Sequence, residues 1–122
     1  MRVVPVRFTN DPAAMRRFVE ALGLTTTIES DGGGWIALSG SGGGVGLHTA
    51  ATTDTPRSPG ETSLSFESDE PLEAVQERLA AAGFESDVID ESYGRSLRVV
   101  DPDGVALQID EAMSDDHGYT RS

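Results

Sequence analysis

His48 and Glu67 are the two side chains suited to moving a proton, an imidazole and a carboxylate that can act as its partner. They can act together only if the fold brings both within ~3 Å of a bound substrate, directly or through a water. Arg7, Ser63, Ser65 and Gln108 add hydrogen-bonding groups, and Trp35, the one tryptophan, adds a stacking surface. Each has a plain structural alternative: Trp35 suits a core, and Arg7 and Glu67 suit an ion pair with each other. The chain has no cysteine, which removes thiolate nucleophiles, disulfides and cysteine metal sites. All nine basic residues are Arg, so Schiff-base chemistry and the phosphate-loop lysine are excluded as well. The run from Gly40 to Gly46 leads into a β-rich segment rather than a helix, which makes it a hairpin and not a phosphate cradle. No Gly-x-Ser-x-Gly elbow is present, so nothing marks a hydrolytic triad.

The charge balance narrows the partners. A net charge of -12 repels the phosphate backbone that supplies most nucleic-acid affinity, and it draws cationic ligands toward any cleft. No apolar run approaches the ~20 residues of a membrane span, and Met1 to Pro5 lacks the apolar stretch of a signal peptide. The expectation is a cytoplasmic protein without a membrane or nucleic-acid partner. Its 122 residues suit one structural domain.

The elements that must position these side chains come in two copies. Gly23, Gly34 and Gly44 recur sixty residues later as Gly83, Gly94 and Gly104, and Val4, Val6, Met15, Val19 and Leu24 recur as Leu64, Phe66, Val75, Leu79 and Phe84. In the first copy, Val4, Val6 and Phe8 alternate with Val3, Pro5, Arg7 and Thr9, the period of a strand. A helix follows, capped by Asp11, opened by Pro12 and closed by Gly23, with Met15, Phe18, Val19 and Leu22 as its buried stripe. Three strands come next, over 24–30, 35–39 and 45–50. The second copy predicts a strand over 62–67, then a helix opened by Asp69 or Glu70 with Leu72, Val75, Leu79 and Ala82 as its stripe. Strands over 84–89, 95–100 and 105–110 complete it, the last two joined by Asp101-Pro102-Asp103-Gly104.

The fold class is therefore α+β, built from two tandem βαβββ modules, residues 1–50 and 61–111, with a linker over 51–60 and a flexible tail over 112–122. If Val4, Val6 and Phe8 turn toward the first helix, the opposite face carries Arg7 and, beside it, Gly46 and His48. The matching face of the second module carries Ser63, Ser65, Glu67, Ala106 and Gln108. Small residues at 46, 63, 65 and 106 would leave room there for a guest.

The paired modules, the helix end Ala21-Leu22-Gly23-Leu24 after Phe18, and the run from Val100 through Asp-Pro-Asp-Gly to Ile109 resemble the vicinal oxygen chelate superfamily. That superfamily includes glyoxalase I, extradiol dioxygenases and the bleomycin resistance proteins. The resemblance spans roughly residues 2 to 111 and implies curved mixed sheets enclosing a cleft.

In the family's metal enzymes, one ligand opens each module's first strand and one lies in each module's last strand, typically His and Glu. Carried onto this chain, those positions fall at Val3, His48, Ser63 and Gln108. One apolar side chain, one hydroxyl, one amide and one imidazole make a poor set for a divalent ion, so no metal and no cofactor is expected. The resemblance then points to the bleomycin-resistance-like branch: a homodimer that sequesters a small organic molecule, cationic or aromatic, such as an antibiotic or natural product. Arg7, Trp35, His48, Ser63, Ser65, Glu67 and Gln108 are the expected ligand-binding residues. The competing expectation is an enzyme of the same superfamily, either a metal-dependent lyase or dioxygenase, or a metal-free acid-base catalyst using His48 and Glu67.

Overall fold

The computed structural model describes residues 1–51, 57–91 and 94–111, together with the backbone of 119–121. The middle of the expected linker and most of the expected tail lie outside these residues. Within them the chain forms two compact units, one containing residues 1–3 with 64–111 and the other residues 4–63 with the strand at 119–121. Among the described residues, no helix is long and apolar enough to cross a membrane.

The second of these units holds the first module's helix and sheet. Its elements are β2 (Val6–Thr9), α1 (Pro12–Ala21), β3 (Thr25–Ser30), β4 (Trp35–Gly40), β5 (Gly43–Thr49), β6 (Thr62–Ser63) and β11 (Tyr119–Arg121). They form one mixed sheet in the order β11-β3-β4-β5-β2-β6, in which β2 runs parallel to β5 and the other neighbours are antiparallel. Asp11 caps α1 as expected, its Oδ1 accepting the Ala14 N–H at 3.0 Å, and Pro12 sits where its missing N–H costs nothing. Gly23 follows the helix with φ at 110°, a conformation that a side chain would strain.

The other unit holds β1 (Arg2–Val3), β7 (Ser65–Ser68), α2 (Leu72–Ala81), β8 (Ser86–Glu91), β9 (Gly94–Val100) and β10 (Ala106–Glu111). Its sheet runs β1-β7-β10-β9-β8, with β7 and β10 parallel. The Asp-Pro-Asp-Gly turn closes as the sequence predicts. Asp101 Oδ1 accepts the N–H groups of Asp103 and Val105, both at 2.9 Å, and Gly104 takes a φ of 82°.

Four sequence expectations need correction. Each module's first strand is broken and shared between the sheets: β1 pairs with β7, while β6 pairs with β2. Pro5 explains the break in module one, since it has no N–H to continue a ladder. The second helix is not opened by Asp69 or Glu70. Pro71 holds the cap position without a side-chain bond, and Ser68 Oγ instead accepts the Glu70 N–H at 3.1 Å. Of the stripe predicted for α1, Val19 is buried and Met15 packs beside it, but Phe18 and Leu22 stand 60% and 66% exposed. Finally, Tyr119–Arg121 adds a strand to β3 where the sequence suggests only a tail, a segment too short to show a period.

Each sheet packs one face on its own helix. Val19 of α1 packs with Ile36, Leu38 and Leu47, all nearly inaccessible, and Leu72 and Val75 of α2 pack with Leu97 and Ile109. Burying a side chain of this size contributes ~1.5 to 3 kcal/mol, so these two clusters fix which face of each sheet meets its helix.

Candidate functional site

Strand register decides which side chains share a face. Phe8 lies opposite His48 across β2 and β5, and Trp35 lies opposite His48 across β4 and β5, so the three project from the same side of the sheet. Leu47, one residue before His48, packs against α1, which puts the trio on the face away from the helix. The rings confirm the grouping: the imidazole centroid lies 5.6 Å from that of Phe8 and 6.1 Å from that of Trp35, both tilted. Val6, Phe8 and Ala50 form a small buried cluster with Trp35 packed against it.

The expected orientation of the first strand is thereby reversed. Val6 and Phe8 face away from α1, while Arg7, in register with Leu47, lies on the helix side. Period alone cannot give the sign of the face, and here both faces of β2 have apolar neighbours to meet. Arg7 and Glu67, suggested as an ion pair, belong to different units. Glu67 is opposite Arg2 on β1, 4.0 Å from its guanidinium.

Ser63 does reach the His48 face, because β6 pairs it with Val6, which is itself opposite Gly46. Its Oγ accepts a hydrogen bond from Arg57 Nη1 at 3.2 Å. Arg57 also meets Glu61 at 3.3 Å and lies with its guanidinium carbon 5.0 Å from the centre of the Phe8 ring, a cation-π contact. Sequence reasoning missed Arg57, which falls in a Pro- and Ser-containing stretch without period, and placed Phe8 on the wrong side. It also treated Gly46 as open room, whereas the Trp35 ring occupies that space.

His48 Nδ1 lies 2.8 Å from the backbone oxygen of Thr49. A carbonyl can only accept, so Nδ1–H donates, and in the neutral ring Nε2 remains as an acceptor.

Ser65, Glu67 and Gln108 belong to the other unit and share the face of its sheet away from α2. Ser65 is opposite Gln108, Asp110 is opposite Glu67, and the alternating residues Phe66 and Ile109 pack on the helix side. This face is polar. Gln108 Nε2 donates to Asp110 Oδ1 at 2.7 Å, and Arg98 and Ser96 both bond Glu91.

The metal positions implied by the resemblance do not fit an ion. His48 has two aromatic rings rather than further donors as its register neighbours, Ser63 Oγ is held by a cationic guanidinium, and Val3 lies opposite Phe66. Among the described residues, no three His, Asp or Glu side chains are grouped to hold a metal.

The comparisons agree with this architecture. The chain aligns with a structure from Legionella pneumophila described as an NAD-dependent benzaldehyde dehydrogenase at 20% identity and a TM-score of 0.65, covering 89% of this chain and 97% of that one. A glyoxalase/bleomycin resistance protein/dioxygenase superfamily member from Vibrio splendidus 12B01 aligns at 22% identity and a TM-score of 0.60, covering 91% and 98%. At these identities the likeness is one of fold. No protein of curated function matches the chain. The sequence model of the Glyoxalase/Bleomycin resistance protein/Dioxygenase superfamily matches residues 3–109, nearly the whole chain, and the protein belongs to that superfamily.

Proposed function

We propose that the chain binds a small organic molecule on the Trp35–His48 face and releases it unchanged, in the manner of the superfamily's bleomycin-resistance-like branch. The observation that carries this reading is the company His48 keeps: tilted aromatic rings on both sides, and a guanidinium bound to the nearby serine. That environment suits stacking and one directed hydrogen bond, and it gives a divalent cation little to hold. The net charge of -12 draws cationic molecules at long range, but Arg57 already sits over Phe8. The aromatic body of a guest, more than its charge, is then what this face would grip. A homodimer belongs to the same reading, and light scattering on the purified chain tests it.

Titration calorimetry against a panel of aromatic and cationic natural products, followed by mass spectrometry of the recovered compound, tests the central claim. Saturable binding with the compound intact is the expected result. A chemically altered product would convert the reading to that of an enzyme. Near-stoichiometric nickel, zinc, manganese or iron in protein prepared without chelator would overturn its metal-free part.

A further inference from the structure

The Thr49 carbonyl dictates the polarity of the hydrogen bond that His48 can offer. With Nδ1–H donating to that oxygen at 2.8 Å, the neutral ring presents Nε2 as a lone pair, and among the described residues no group donates to it. His48 and Trp35 are both half-buried, whereas Phe8 is buried with Arg57 over its ring, so a guest that stacks on the indole brings its own edge toward the imidazole. A guest edge carrying an N–H or O–H would complete a hydrogen bond there. An edge carrying a carbonyl or ether oxygen would set lone pair against lone pair and leave Nε2 without a partner, and sites of this kind reject the analogue that lacks the matching group.

We infer that this face selects planar aromatic molecules bearing a hydrogen-bond donor at the ring edge, phenols or N–H heterocycles, with the donor directed at His48 Nε2. The inference rests on the ligand seat proposed above and adds the chemical class that the seat accepts. Arg57 keeps the surroundings consistent with it. Its guanidinium is engaged by Glu61 and Ser63, so the nearest charges are already paired with each other.

Phenol and its methyl ether, anisole, form the probe pair, since they share a ring and differ in the donor. In protein labelled with nitrogen-15, imidazole signals report the tautomer of His48 directly, and the indole N–H of Trp35 reports occupancy of the seat. His48→Phe separates the His48 signals from those of the second histidine and removes the acceptor while keeping a ring. The expected results are an Nδ1–H tautomer in the free protein, phenol binding ~tenfold tighter than anisole, and near-equal binding of the two by His48→Phe. An Nε2–H tautomer overturns the inference even if His48→Phe fails to fold. Equal affinities in the unmodified protein overturn the donor rule while leaving the seat intact. If neither probe moves the Trp35 or His48 signals, the seat itself is wrong.

Discussion

The indole of Trp35 lies directly over Gly46. A Cβ built on that glycine would fall 2.2 Å from Trp35 Cη2 and 2.7 Å from Cζ3, so glycine is required for the ring to lie where it does. Gly46→Ala must displace the indole or open β4 from β5. We expect a loss of ~1 to 3 kcal/mol of stability, as for other overpacked sites, and a shifted emission from the single tryptophan. Chemical denaturation followed by fluorescence reads both. Unchanged emission and midpoint would mean that the ring does not lie there.

The core substitutions Leu47→Ala and Leu97→Ala should each cost ~2 to 5 kcal/mol, because both side chains are fully buried between sheet and helix. Denaturant midpoints measure this. A cost below about 1 kcal/mol at either site would contradict the packing described.

Phe18→Ser and Leu22→Ser should behave differently despite the helical spacing that places both in an apolar stripe. Arg16 meets Glu29 of β3 at 2.8 Å and Glu20 accepts from Thr26 at 3.1 Å, so α1 is turned with residues 15, 16, 19 and 20 toward the sheet. Phe18 and Leu22 point away, and either change should alter monomer stability by no more than about 0.5 kcal/mol. A large loss would show that these side chains are covered.

Arg95 joins α2 to its sheet by bonding two carboxylates, Glu73 through Nη1 at 2.6 Å and Glu111 through Nη2 at 3.1 Å. The hydrogen bond from Arg95 holds the Glu73 carboxyl below its ordinary value of 4.5, and the two carboxylates raise Arg95 further. A carboxyl depressed in the folded state stabilises above its unfolded value, and that contribution disappears as pH falls below 4.5 toward the folded value. Stability should therefore decline on acidification through this window, and less so in Glu73→Gln. Because the pair is exposed, the change should be smaller than that of Leu97→Ala. Thermal midpoints between pH 6 and pH 3 would show it, and parallel acid limbs for both proteins would count against it.

Local chemistry determined much of this protein in advance. The glycine-punctuated repeat, the Asp11-Pro12 helix start and the Asp101–Gly104 turn each depend on a few adjacent residues, and the observed strands begin and end within about two residues of the expected ones in most cases. Long-range packing decided the rest. Alternation along Val6, Arg7 and Phe8 shows that a strand has two faces, but only the pairing with β5 and the burial of Leu47 under α1 say which face meets the helix. That choice removed Arg7 from the side of His48 and brought Phe8 there. Arg57 joined the same cluster from a stretch with no pattern of its own, because contact across the fold carries no mark in neighbouring residues.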